Sequence, residues 1–103
     1  MSIEEKFRTR LTELRIQKGV TARDMSLSIG QSAGYINGIE NKRILPSMAA
    51  FFTICEFLGV TPMVFFDFDN HNPKKSAAVN DKLKGLSDEQ LSIVLSMIDQ
   101  MNK

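Results

Sequence analysis

Apolar positions in the first two thirds of the chain recur at helical spacing, and strand-like alternation is scarce. The first apolar stripe has intervals of three or four residues and comprises Ile3, Phe7, Leu11 and Leu14. This spacing predicts a helix. Ser2, followed three residues later by Glu5, opens that helix as a capping box, and Gly19 closes it.

Helix-start signals predict four further helices before residue 67. Each signal is a hydroxyl side chain in front of an apolar, helically spaced segment, and these residues are Thr21, Ser32, Ser47 and Thr61. Gly30 and Gly59 end the second and fourth helices, while Pro62 suits the first position of the fifth. We therefore predict five short helices within residues 3–67.

The composition changes after residue 67. Residues 67–75 are rich in Asp, Asn, Pro and Lys, which is typical of a linker, and residues 76–84 predict one weak helix before Gly85. A second capping box, Ser87 to Gln90, opens a last helix. Its apolar stripe is Leu91, Val94, Leu95, Ile98 and Met101. We predict a domain over residues 1–67, followed over residues 68–103 by a linker and a helical extension.

Composition excludes several classes of protein. With 103 residues, 43% hydrophobic and 24% charged, the chain fits one soluble globular domain, and its net charge of +1 does not by itself require a polyanionic partner. A single cysteine cannot form an intramolecular disulfide or a CxxC metal site. No apolar run approaches 18 residues and the N-terminus lacks a signal-peptide pattern, so we expect a cytoplasmic protein without a membrane partner.

The sequence offers little enzyme chemistry. Its only histidine, His71, lies in a polar stretch where a solvated loop residue is expected rather than a catalyst. Cys55 lies on an apolar segment, where a buried thiol is expected rather than a nucleophile. We therefore expect no catalytic residue, no metal and no cofactor.

Residues 21–40 form the most informative segment. Two capped helices are joined at Gly30, whose freedom to take a left-handed backbone suits a sharp turn. This arrangement is typical of a DNA-binding helix-turn-helix, and equally of an αα-hairpin inside a small bundle. Spacing alone leaves both interpretations open.

Specific motifs add a family resemblance over residues 7–67. They are LRIQKGVT at 14–21, MS at 25–26, IGQS at 29–32, YI at 35–36, IEN at 39–41, PS at 46–47 and LGVT at 58–61. In this order they resemble the XRE (Cro/cI-type, phage-repressor-like) helix-turn-helix family. The resemblance implies an all-α, five-helix, lambda-repressor-like domain that binds double-stranded DNA, with its third helix in the major groove.

The resemblance also implies residue roles. Arg15 and Glu40 match a structural ion pair between the first helix and the end of the third. The start of the second helix and the loop after the third match phosphate-contacting segments, which here are Thr21, Ala22, Arg23, Asn41, Lys42 and Arg43.

The recognition positions depart from the family pattern. Ala33, Gly34 and Gly38 occupy positions where relatives hold long polar side chains, and none of the three can make a bidentate base contact. The polar residues that remain on that face are Gln31, Ser32, Tyr35 and Asn37, and Ala33 remains a candidate for an apolar contact. Among them Asn37 suits adenine, Ser32 suits a base or a phosphate, and Ala33 suits a thymine methyl group.

Charge and apolar surface add two further expectations. Six cations opposed only by Glu13 form a basic N-terminal segment, consisting of Lys6, Arg8, Arg10, Arg15, Lys18 and Arg23. Phe57, Met63 and Val64 match positions that are usually polar on the outside of relatives. Apolar residues there predict a surface that is covered either by the C-terminal helix or by a second subunit.

Together these patterns predict a transcription regulator, most simply a homodimeric repressor on a palindromic operator with third helices about 34 Å apart. The stripe on the last helix would form the dimer, although packing on its own domain remains an alternative. A protein-interaction module or an antitoxin-like protein with a protein partner is the alternative function, because three recognition positions hold Gly or Ala.

Overall fold

The computed structural model describes residues 1–41 and 44–103, and its described residues contain helices and no strands. The helices are α1 (Ile3–Lys18), α2 (Ala22–Ser28), α3 (Tyr35–Glu40), α4 (Met48–Leu58), α5 (Pro62–Phe66), α6 (Pro73–Leu83) and α7 (Asp88–Met101). The predicted all-α fold, five helices followed by a helical extension, is confirmed.

The chain divides into two compact units, Met1–His71 and Asn72–Lys103. The first unit contains α1 to α5 and extends four residues past the predicted boundary at residue 67. Within the second unit, α6 begins at Pro73, so the assignment of residues 73–75 to a linker was wrong. Proline is well tolerated at the first helical position, where its missing N–H has no helical partner to lose.

Hydroxyl caps open five of the helices as the sequence predicted. In each case the side-chain oxygen accepts a hydrogen bond from the backbone N–H three residues later, at Ser2, Thr21, Ser47, Thr61 and Ser87. Gly19 and Gly59 follow α1 and α4 with left-handed φ angles of 79° and 71°. These local signals set the ends of the helices independently of tertiary packing.

The start of α3 differs from the prediction. Ser32 does not cap this helix, which begins only at Tyr35, after Gly34. Instead, the carbonyl of Ser32 accepts the N–H of Tyr35 at 3.0 Å in a turn. Glycine at position 34 disfavours a helical extension toward Ser32, because glycine loses more backbone entropy there than other residues.

Buried Ser26 of α2 takes over the capping role for α3. Its Oγ accepts the N–H of Ile36 at 2.9 Å and donates to the carbonyl of Ala22 at 2.7 Å. Ser26 is fully buried, so the N–H of Ile36 depends on this oxygen for its hydrogen bond. The start of α3 is thereby tied to a fixed point on α2.

The core of the first unit lies between α1, α4 and α5 and continues to α2 and α3 through Met25, Ile36 and Ile39. Phe7, Phe51 and Phe65 form its aromatic centre, with ring centroids 4.9 to 5.7 Å apart. Cys55 is buried beside this centre, and burial raises the pKa of its thiol to about 11. At neutral pH the thiol is therefore protonated and unreactive.

The expected outward apolar surface on α4 and α5 is largely absent. Val64 is buried, and Phe57 is half-buried against the core with the Lys18 Nζ 4.9 Å from its ring centroid. Of the three predicted residues only Met63 is substantially exposed. In α5, Val64 and Phe65 are both buried, whereas the family pattern predicts an outward position for Val64.

Arg10 is a structural residue, and its assignment to a basic surface was wrong. Only 2% of its surface is exposed. The guanidinium donates to the carbonyls of Phe65 (2.9 Å), Val64 (2.8 Å) and Asn70 (2.7 Å), and pairs with Glu13 at 2.9 Å. Two of these carbonyls belong to the last turn of α5, where helical N–H donors run out, and that of Val64 also accepts the N–H of Asp67 at 3.2 Å.

We expect Arg10→Lys to lower the free energy of unfolding by about 2 kcal/mol or more, because an ammonium cannot reproduce the planar fork that serves three carbonyls. Urea titration of the full chain measures the change. Arg23→Lys, at an exposed site on α2, is the matched control and should change stability by less than about 0.5 kcal/mol. Equal effects of the two substitutions would contradict the capping role of Arg10.

Candidate nucleic-acid interface

The helix-turn-helix is formed by α2, the segment 29–34 and α3. Gly30 lies in the turn with a left-handed φ of 77°, and its N–H bonds the carbonyl of Leu27 at 3.1 Å. Met25, Ile36 and Ile39 face the core and are fully buried. The opposite face of this motif is therefore the one available to a partner.

Exposure separates the predicted contact residues into two groups. Those exposed are Thr21, Arg23, Ser32, Asn37 and Asn41. Those half-buried are Ala22, Gln31, Ala33 and Tyr35. Ala22 and Tyr35 pack against the core, and burial raises the pKa of Tyr35, so both contribute to the support of the motif.

The start of α2 has the groups that a phosphate contact requires. Thr21 Oγ1 accepts the N–H of Asp24 at 3.0 Å, which leaves Ala22 and Arg23 as the first two helical residues. Their N–H groups have no acceptor within the helix. Arg23 is exposed at the same end and adds a positive charge.

Gly34 and Gly38 were both predicted to lie on the recognition surface, but the structure gives them different surroundings. Gly38 is buried under Ile44, whose Cγ1 and Cδ1 would both lie 3.7 Å from a Cβ at this position. Its assignment to the recognition surface was therefore wrong. Gly34 is exposed, and a Cβ there would meet nothing within 4 Å. The open space at Gly34 allows a DNA backbone or base to approach closely.

Asn37 and Asn41 form a side-chain pair that we did not predict. The Nδ2 of Asn41 donates to the Oδ1 of Asn37 at 2.6 Å and to the carbonyl of Asn37 at 2.7 Å. The separation of four residues, one helical turn, is the sequence signal that could have indicated the pair. The two exposed amides therefore form one polar feature at the end of α3.

Arg15 and Glu40 form a bidentate ion pair between α1 and α3. Arg15 Nε lies 2.8 Å from Oε2 of Glu40, and Nη2 lies 2.9 Å from Oε1. The hydrogen bond to Glu40 raises the pKa of Arg15. Thr12 donates to the same carboxylate at 2.8 Å, and Arg15 Nη1 donates to the carbonyl of Val20 at 2.9 Å. The pair fixes the end of α3 against α1.

Three cations of the predicted basic N-terminal segment have partners within the protein. Arg10 is buried, Arg15 is paired with Glu40, and Lys18 lies over Phe57. Lys42 and Arg43, predicted to contact the DNA backbone, lie outside the described residues. His71 is exposed, as expected for a loop residue, with its Nδ1 3.2 Å from Glu13 Oε1.

A family model described as helix-turn-helix matches residues 11–65, more than half of the chain. The chain belongs to the XRE-type helix-turn-helix family. This family consists of DNA-binding transcription regulators and is generally non-enzymatic, so the XRE-type protein is in general terms a DNA-binding regulator. No curated protein and no solved structure matches the chain significantly. In the part of the chain that the structure describes, no helix is long and apolar enough to cross a membrane.

We expect Arg15→Ala to lower the free energy of unfolding by about 2 to 3 kcal/mol, because the side chains of Arg15 and Glu40 are only 16% and 11% exposed and Glu40 would lose its main partner. A double-mutant cycle with Glu40→Ala, followed by urea unfolding, measures the coupling between them. The double mutant should lose clearly less than the sum of the single mutants. Strict additivity would contradict the energetic importance of the pair.

Proposed function

We propose that this XRE-type protein is a sequence-specific repressor that binds a palindromic operator as a homodimer. The observation that carries the DNA-binding part is the exposure pattern of the helix-turn-helix. Its inward face is anchored by Ser26 and by the Arg15–Glu40 pair, and Arg23, Ser32 and Asn37 are exposed. Rigid support with exposed polar side chains is the arrangement that groove recognition requires.

The proposed contacts divide into positioning and reading. Phosphates would be bound by the N–H groups that begin α2, by Arg23, and by Lys42 and Arg43, which follow α3 in the sequence. Asn37 would read a base edge, since it is the one exposed residue within Tyr35–Glu40. Ser32, Ala33 and Gln31 would lie beside it in the turn before α3.

The dimer part of the proposal rests on α7. Of the predicted stripe, Leu91 and Val94 are half-buried, whereas Leu95 and Met101 are 62% and 74% exposed. Ile93 and Met97, which the predicted stripe left out, are exposed as well. At 100° per residue these apolar positions cover an arc of about 200° on the helix. An arc this wide exceeds what one neighbouring helix covers, and a second copy would supply a further neighbour.

A protein-interaction or antitoxin-like role is the second candidate, favoured by one observation on the first unit. A groove of about 220 Å³ is lined mainly by apolar side chains of α1, α4, α5 and the segment before α4, among them Ile3, Leu45, Met48 and Phe66. All four are substantially exposed. Exposed apolar residues clustered around a groove are typical of a protein-binding surface.

We expect the full chain to bind mixed-sequence duplex DNA with an affinity that falls steeply with salt. Lys42→Ala and Arg43→Ala should each weaken binding to every duplex about equally and lower the slope of log K against log salt by roughly one unit. Fluorescence anisotropy at several salt concentrations gives these slopes.

Lys75→Ala is the matched control, because it removes an exposed cation of α6. This substitution should leave the slope unchanged. Absence of salt-dependent binding by the wild-type chain would contradict the DNA-binding proposal and favour the protein-interaction role. Unchanged slopes in both loop variants would remove that loop from the interface.

We expect Leu95→Asp to shift the full-length protein from dimer to monomer, because a charge would replace an apolar side chain of the α7 arc that is 62% exposed in the single chain and would be covered in the dimer. Light scattering at micromolar concentrations measures the mass. Ser96→Asp introduces the same charge one residue further along, on the polar side of α7, and should leave the dimer intact. A wild-type chain that is monomeric at high micromolar concentration would contradict the dimer, and an unchanged Leu95→Asp dimer would place its interface elsewhere.

A further inference from the structure

The side-chain pair at the end of α3 limits how Asn37 can present its amide. An asparagine side chain on a helix surface can rotate its carboxamide, so either the oxygen or the nitrogen can face a partner. In this protein Asn37 Oδ1 accepts a hydrogen bond of 2.6 Å from Asn41. Because Oδ1 and Nδ2 lie on opposite arms of a planar group, Nδ2 then points away from Asn41.

Asn41 is itself held in place. Its backbone N–H donates to the carbonyl of Asn37 at 3.0 Å, and its side-chain Nδ2 donates to the same carbonyl at 2.7 Å. The first bond is the i→i−4 backbone bond made by the residue that ends α3, and the second adds a side-chain donor to the same carbonyl. The side-chain amide of Asn41 is therefore fixed at the end of α3 by its hydrogen bonds to Asn37.

The space next to Asn37 is open. Gly34 lies one turn earlier on the same side of the helix and carries no side chain, and a Cβ there would contact nothing within 4 Å. A base edge can therefore approach the carboxamide of Asn37 from this direction without displacing protein atoms.

We propose that Asn41 is a positioning residue for base reading: it fixes the carboxamide of Asn37 with Nδ2 outward, so that Asn37 selects adenine. Nδ2 would donate to adenine N7, and the second lone pair of Oδ1 would accept from adenine N6. This inference rests on the proposed DNA-binding function. It also removes Asn41 from the phosphate contacts that the family resemblance implies.

The two roles of Asn41 predict different results for Asn41→Ala. A phosphate contact, when lost, weakens binding to all sequences about equally. A lost positioning contact frees the amide of Asn37 to rotate and changes the preference at one base pair. We expect the preference for adenine at that position to fall about three- to tenfold, with the affinity for unselected duplexes unchanged.

The experiment selects duplexes from a random pool with the full chain and then measures binding of matched duplexes that differ at the selected adenine. The variants are Asn37→Ala, Asn41→Ala, their combination and Asn41→Asp, with Asn80→Ala of α6 as the control. Asn41→Ala should have no further effect on base preference once Asn37 is already alanine. In Asn41→Asp the carboxylate can only accept a hydrogen bond, so Asn37 Nδ2 would turn toward it and Asn37 Oδ1 would face outward. The base preference should then move from acceptors to donors.

A second measurement on the free protein makes the pair testable without DNA. The side-chain amide signal of Asn41 in a nitrogen-15 spectrum should shift in Asn37→Ala and stay unchanged in Asn80→Ala. An unshifted signal would overturn the pairing. Uniform weakening of all duplexes by Asn41→Ala would overturn the inference while the proposed function stands, and wild-type protein that binds no duplex would overturn both.

Discussion

The buried guanidinium of Arg10 is the interaction on which the first unit depends most. Taking a cation out of water is costly unless its donors are satisfied, and here three carbonyls and Glu13 satisfy them. Because two of these carbonyls end α5 and the third belongs to Asn70, one side chain of α1 holds both α5 and the segment that leads toward residue 71. A five-residue helix has little stability of its own, so its position depends on such tertiary contacts.

The two flanks of α1 contact different helices, and one of them supports the candidate interface. Phe7, Leu11 and Leu14 form its buried stripe. Arg10 lies on one flank and binds α5, whereas Thr12 and Arg15 lie on the other and bind Glu40 of α3. The proposed reading helix is therefore held at its end by α1 and at its start by Ser26. A six-residue helix has little stability of its own, so these two contacts and the buried side chains of Ile36 and Ile39 together keep its orientation.

Local chemistry was sufficient to predict most helix limits, because hydroxyl caps and left-handed glycines act within a few residues. Local signals do not predict features that depend on contacts between residues distant in the sequence. Arg10 and Arg15 look alike in sequence, since they lie on the two flanks of one apolar stripe, and Arg10 is buried because the carbonyls of α5 pack against it. Gly38 and Gly34 are likewise indistinguishable in sequence, and only the side chain of Ile44 separates them. The pairing of Asn37 with Asn41 depends on side-chain orientations at the end of α3, which the helix-start and helix-stop signals do not specify.

The small reading surface explains why pairing of two chains matters for the proposed function. One bidentate base contact discriminates by about 1 to 3 kcal/mol. Specific binding by a regulator exceeds its non-specific binding by about 4 to 10 kcal/mol. A single helix-turn-helix with Asn37 as its main reader falls short of this range, whereas two copies on a palindrome double the contribution to about 2 to 6 kcal/mol, which overlaps its lower part. The apolar arc of α7 is the feature of the chain best suited to bring two such helices onto one site.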